Sequence, residues 1–154
     1  MGKAGLHLTD KLADGKLVVD QGIIAGCAGG MYDNIAEAAA ILAGHDTGSG
    51  YFSLSVYPPS VPVNLELMEN GVQQSLLASG ALFKPCFCGP CFGAGDVPAN
   101  NALSVRHTTR NFPNREGSKP ADGQLAGVIL MDARSIAATA RNHGVPVSYT
   151  HLRA

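Results

Sequence analysis

Three thiols stand within six residues in Cys86-Phe87-Cys88-Gly89-Pro90-Cys91-Phe92-Gly93. Glycine and proline break this run, so it forms no regular helix. A C-x-x-C pair there puts two sulfurs on one concave turn. Such a turn suits a metal ion, an iron–sulfur cluster or a dithiol redox centre. Cysteines also pack in cores as small, soft hydrophobes. A C-x-C-x-x-C spacing is a poor match to that role, so the run reads as chemistry. The fourth cysteine, Cys27, lies in Ala25-Gly26-Cys27-Ala28-Gly29-Gly30, far upstream.

The elements around these residues must bring them together. Lys16–Gly26 holds two β-branched runs and reads as a strand ending at Gly26. Met31–Gly44 is alanine-rich with acidic residues in its first turns, and reads as a helix stopped by Gly44. Cys27 is thus expected at the end of a strand and just before a helix, where backbone N–H groups stabilise a thiolate or an anionic cluster. Tyr51–Tyr57 alternates as a strand. Ser60 is placed to cap a helix running to Asn70-Gly71, and Val72–Ser79 continues as a second helix. Ala81–Lys84 is expected as a short strand leading into the cysteine run. Ala102–Thr109 reads as a strand, 110–123 as an extended loop and Leu125–Leu130 as an apolar strand. Asp132 is placed to cap a closing helix, Ala133–Asn142. Strands alternating with helices predict an α/β fold: a three-layer αβα domain with a parallel or mixed sheet covered on both faces.

The chain of 154 residues accommodates one core and not two comfortable domains. The domain is expected over 17–144. Residues 1–16 read as irregular, with Asp14-Gly15 as a turn, and 145–154 as an unstructured or artefactual tail. Charged residues make up only 15 % of the chain, below the roughly 25 % of ordinary soluble domains. A surface that faces other protein would account for that deficit. The net charge of −1 and the absence of a basic cluster argue against nucleic acid. No stretch approaches the roughly 18 apolar residues that span a bilayer, and no signal-peptide core opens the chain. A cytoplasmic setting is expected. Thiols there stay reduced, which favours metal or redox chemistry over a disulfide framework.

Two alternatives compete with a cluster. Cys88-Gly89-Pro90-Cys91 is also the kind of dithiol found in thioredoxin-like oxidoreductases, where it opens a long helix. Here Phe92-Gly93-Ala94-Gly95-Asp96-Val97-Pro98 follows, and that sequence does not propagate one. A zinc-bearing structural module would need four N/S ligands, which Cys27 and the later run could supply.

Gly26-Cys27 ahead of a helix, then Cys88-Gly89-Pro90-Cys91-Phe92-Gly93, then Arg110-Asn111-Phe112-Pro113-Asn114-Arg115 stand in an order that resembles the aconitase superfamily. That group comprises aconitase, the isopropylmalate isomerase large subunit and related hydratases. The similarity runs from about Leu17 to Gly144 and looks like the third α/β domain of a longer enzyme. It implies a 4Fe–4S cluster held by Cys27, Cys88 and Cys91, with one iron left to act as a Lewis acid. It further implies reversible dehydration of a hydroxy di- or tricarboxylic acid. Arg110 and Arg115 are assigned by the resemblance to substrate binding, in keeping with the bidentate grip of guanidinium on carboxylate. The acid–base groups would lie in missing domains of the same enzyme or in a partner subunit, and the isolated chain would be inactive. The family commonly carries G-S-C-T-N-S where this chain has Ala25–Gly30, and Asn where it has Thr109. Cys86 matches no expected ligand, and His107 reads as structural.

Overall fold

The computed structural model describes residues 7–109 and 113–147. Among the described residues, seven strands and five α-helices follow in chain order: β1 Leu12–Ala13, β2 Lys16–Leu17, β3 Gln21–Ile24, α1 Gly26–Gly29, α2 Tyr32–Leu42, β4 Ser53–Val56, α3 Val61–Glu69, α4 Val72–Ala78, β5 Leu82–Phe83, β6 Ala102–His107, β7 Ala126–Leu130 and α5 Ala133–Arg141. Five strands form one sheet in the order β5-β4-β3-β6-β7, and every neighbouring pair is parallel. This is the expected α/β class: a parallel sheet flanked by helices, consistent with a three-layer αβα domain.

Alternation along the strands separates two faces. Ile24, Leu54, Val56, Leu103 and Val105 join one buried cluster with the helices. α2 contributes Ile35, Ala38, Ala39 and Leu42, and α5 contributes Ala133, Ile136, Ala137 and Ala140. Both sets follow the i, i+3, i+4, i+7 spacing of a single helical stripe. Full burial of each Leu or Ile side chain contributes roughly 1.5–3 kcal/mol, so this cluster is the main source of stability. Asp132 caps α5 as expected, its carboxylate accepting from the Ser135 N–H at 2.6 Å. Ser60 stands at the N-cap of α3 without a side-chain bond.

The opposite face mixes buried polar residues, Gln21 on β3, Ser55 on β4, Ser104 and Arg106 on β6, with a small buried apolar cluster of Ile23, Ala25 and Tyr57. It is covered by the segment from Lys84 to Asn101 and by 113–124, each containing a single 3-10 turn, Gly89–Cys91 and Pro120–Asp122. Those two segments touch backbone to backbone where Gly93 meets Gly117.

The N-terminal region departs from expectation. Leu8–Lys11 forms a 3-10 turn, and β1 pairs antiparallel with β2 through Asp14-Gly15, both at positive φ (51° and 73°). That is the geometry of a two-residue hairpin loop. A hairpin of two-residue strands leaves almost no periodicity to read. The run taken as one strand from Lys16 to Gly26 is therefore two, separated at 18–20. Asp20 bridges them to the domain, accepting from Lys11 Nζ and from the Leu103 N–H, each at 2.8 Å. At the other end Val147 N donates to Thr139 Oγ1; 148–154 lie outside the described residues.

Candidate functional site

In an open parallel sheet, ligands gather beyond the carboxyl ends of the strands, where successive connections leave in opposite directions. That point here falls between β3 and β6. From β3 the chain passes to β4 on one side, while from β6 it passes to β7 on the other. Ile24 and His107 are paired in register at these ends. The residues just beyond them, Gly26-Cys27 and Thr108-Thr109, therefore emerge side by side. The Cys27 sulfur lies 3.1 Å from Thr109 Oγ1, and Cys27 is exposed.

Cys91 reaches the same place from the covering segment. A Cβ built on Gly26 would stand 2.8 Å from the Cys91 sulfur and 3.5 Å from Thr109 Oγ1. Gly26 is at φ +77°, a conformation glycine adopts without cost, and its bare α-carbon admits the sulfur. Cys88 and Cys91 bracket Gly89-Pro90 in one turn, closed by the Cys91 N–H donating to Cys88 O at 3.0 Å. Cys88 is exposed and Cys91 half-buried. Cys86, also half-buried, precedes the turn.

α1 sits directly on the strand ends. A Cβ at Gly29 would fall 2.0 Å from His107 O, and one at Gly30 2.3 Å from Tyr57 O. No side chain fits at either position, so the Ala28-Gly29-Gly30 sequence reflects close backbone packing. Cys27 accordingly lies within a one-turn helix rather than immediately before a long one.

Two arginines hold the cysteine turn. Arg115 Nε donates to Cys91 O at 2.8 Å. Arg106, only 2 % exposed, donates from Nη1 to Pro90 O at 3.1 Å and from Nη2 to Asp96 O at 3.1 Å. Its Nε reaches Ser104 Oγ, and Nη2 also reaches Gln21 Oε1. Gln21 Nε2 donates to Asp96 O, and Ser104 Oγ donates to Gln21 Oε1. Burial lowers the Arg106 pKa, while the carboxylates of Glu116 and Asp96 act to raise it. Glu116 is itself buried and accepts from Ser118 Oγ. Tyr57 donates to Asp96 Oδ2 at 2.6 Å, and burial followed by that carboxylate pushes its phenol well above the ordinary value.

His107 borders a cavity of about 270 Å³ with Thr108, Leu130, Met131 and Asp132. Its Nδ1 is buried without a hydrogen-bond partner. Burial lowers its pKa, opposed by Asp132.

The sequence-derived site residues fall as follows. Cys27 and Cys91 meet at the strand ends, with Cys88 in the same turn as Cys91. Arg115 is tied to that turn. Arg110, Asn111 and Phe112 lie outside the described residues. Sequence reasoning passed over Gln21, Tyr57, Asp96, Ser104 and the anchoring role of Arg106. A signal existed in Ala102–His107, where Ser104 and Arg106 alternate with Leu103 and Val105. Polar residues at every second position of a central parallel strand point to a buried polar face.

No three His, Cys, Asp or Glu side chains among the described residues gather closely enough to hold a single metal ion. A cluster makes a different demand, because each thiolate takes a different iron and the sulfurs surround a cube. The donor set fits that demand: Cys27 and Cys91 lie at the strand ends with Cys88 in the same turn as Cys91, all as free thiols, and at Gly26 a missing Cβ leaves room beside Cys91. Met31, Phe87, Phe92 and Val97, near these cysteines in the chain, are all about half exposed, and no charged residue occurs from Cys86 to Gly95.

A parallel α/β domain with free thiols at the topological switch point of its sheet is the class these observations define. The chain belongs to the aconitase family (aconitate hydratase), whose family model matches residues 2–138. It is 30 % identical over 122 residues to the 3-isopropylmalate dehydratase large subunit of Nitratidesulfovibrio vulgaris, covering 79 % of this chain and 29 % of the relative. Large subunit 1 of the same enzyme from Methanopyrus kandleri is 33 % identical over 121 residues, 78 % of this chain and 29 % of the relative. Large subunit 2 from Pyrococcus furiosus is 34 % identical over 112 residues, with 72 % and 29 % covered. The chain thus spans less than a third of the length of these relatives.

Proposed function

We propose that this chain is the cluster-binding domain of a hydro-lyase or isomerase that reversibly dehydrates a hydroxy di- or tricarboxylic acid. Cys27, Cys88 and Cys91 would hold a 4Fe–4S cluster. The chemistry such a group supplies when bound is Lewis acidity at the iron left without a thiolate. The observation that carries the reading is the approach of the Cys91 sulfur to Gly26, beside the Cys27–Thr109 pair. It unites two distant sequence motifs at the point of the fold where ligands bind.

The chain's own residues have separable tasks. Arg110 grips a substrate carboxylate. Arg115 joins in that task while its Nε anchors the turn at Cys91 O. The exposed apolar side chains of Met31, Phe87, Phe92 and Val97 would exclude water once covered by further domains of the enzyme or by a partner subunit. The relatives are named large subunits, which supports a partner. General acid and base groups belong to those further parts, in a cytoplasmic enzyme. The C-x-x-C turn leads into Phe92–Gly95 without a following helix, which supports a cluster over dithiol exchange.

Anaerobic reconstitution with iron and sulfide tests the reading. A folded chain should develop iron–sulfur absorbance with matching iron and sulfide content. Serine at Cys27, Cys88 or Cys91 should abolish it, and Cys86→Ser should not. A folded chain that gains no such absorbance, or a requirement for Cys86 in place of Cys27, overturns it.

A further inference from the structure

The cysteine turn is irregular backbone, and something other than a ladder of sheet or helix bonds must hold its shape. Two of its carbonyls do not point to solvent. Pro90 O, inside the turn, and Asp96 O, where the segment leaves it, both accept from one side chain, Arg106. That side chain rises from β6, the strand whose end supplies Thr109 beside Cys27. We propose that Arg106 is the positioning residue of the cysteine turn: its guanidinium pins Pro90 O and Asp96 O, and so fixes the Cys88–Cys91 turn against the Gly26–Cys27 end of β3.

The geometry favours this role over a generic buried ion pair. Arg106 donates to four different groups, Ser104 Oγ, Gln21 Oε1, Pro90 O and Asp96 O, and two are main-chain carbonyls of the covering segment. Gln21 and Ser104 orient the planar fork from the neighbouring and own strand, as a bond between them shows. Lysine presents a point charge without that fork and would not hold two separated carbonyls in one plane. Arg115 acts on the adjacent carbonyl, Cys91 O, from the loop. The turn is therefore held from the sheet below and from the loop beside it. Outer partners of this kind commonly set metal affinity by a factor of about 10–100.

The inference rests on the cluster reading for its importance, but its test does not. In the apo chain, alkylation of each thiol by iodoacetamide is followed residue by residue in wild type, Arg106→Lys, Ser104→Ala and Ile136→Val. Ser104→Ala keeps the arginine and removes one acceptor that orients it, so it serves if Arg106→Lys does not fold. Ile136→Val loosens the core on the far face and controls for general destabilisation. The clamp requires Cys91 and Cys88 to react several-fold faster in Arg106→Lys, and to a lesser degree in Ser104→Ala, with Cys27 unchanged. It also requires a folded Arg106→Lys chain, once reconstituted, to surrender iron to a chelator about 10–100-fold faster than wild type. Equal acceleration of all thiols, matching Ile136→Val, would reduce Arg106 to a structural residue and overturn the proposal, as would unchanged Cys91 reactivity. Failure of wild type to take up iron would instead overturn the cluster reading, and the alkylation pattern would still decide the clamp.

Discussion

The thiol of Cys27 and the hydroxyl of Thr109 lie 3.1 Å apart although 82 positions separate them in the chain. They meet because β3 and β6 are adjacent, parallel and in register at their ends. Thr109→Val keeps the side chain's shape and removes the hydroxyl. In the reconstituted chain it is expected to hasten iron loss to a chelator by about tenfold, the low end for an outer partner of a metal ligand. An unchanged rate would make the contact incidental.

Gly26→Ala should damage the site more than the fold. The added methyl would stand 2.8 Å from the Cys91 sulfur, and φ of +77° is unfavourable for alanine by about 1–2 kcal/mol. Urea unfolding should register a loss of that order, while iron per reconstituted chain should fall to near zero. Full iron loading in the variant would show that the sulfur has room to move.

Gly29→Asn and Gly30→Ser, which introduce the family's common side chains, should not improve the site. Each new Cβ would press within 2.0 Å or 2.3 Å of a backbone carbonyl. Both variants should lower the melting temperature or fail to fold. A stable double variant with unchanged iron content would mean that α1 lifts off the strand ends at little cost.

Acidification should weaken the fold through His107. Burial holds its pKa below the ordinary 6.5 despite Asp132 nearby. Between that lowered value and 6.5 the unfolded chain binds more protons than the folded one, so stability falls as pH drops through the interval. Asp132 works lower on the scale. Burial pushes its carboxyl up, but the Ser135 bonds, Arg134 and His107 outweigh that and leave it below 3.8. Its contribution is present above 3.8 and is lost as pH falls through the lower folded value. His107→Gln should flatten the upper part of the melting-temperature profile and, by removing one of the charges that depress Asp132, reduce the lower part without removing it. An unaltered upper part would assign it to another group.

In a complete enzyme, Arg110→Lys keeps the charge and removes the bidentate fork. Substrate KM should rise or kcat should fall sharply with iron content unchanged. Iron loss in that variant would give Arg110 a structural role like the one proposed for Arg106.

The residues of α2 and α5 show what the sequence alone determined. Their apolar stripes, the Asp132 cap, the β-branched strands and the order of the cysteine and arginine motifs are local signals. Helix period, capping and turn chemistry act over a few residues and survive without knowledge of distant partners. The α/β class with a parallel or mixed sheet, and the order of the cysteine motifs, were legible for that reason. The hairpin through Asp14-Gly15 was missed because two-residue strands carry no period. Only the tertiary structure decided that β6 lies beside β3. That adjacency sets Thr109 against Cys27 and turns Ser104 and Arg106 inward beneath the cysteine turn. Strand order is a long-range choice, made by packing helices on one face and the irregular segments on the other, and no spacing in the chain encodes it. Alternation within Ala102–His107 hints that Arg106 faces inward, but not what it binds. Arg106 becomes a buried clamp because the carbonyls of Pro90 and Asp96, shut away from water by the same packing, must find a donor.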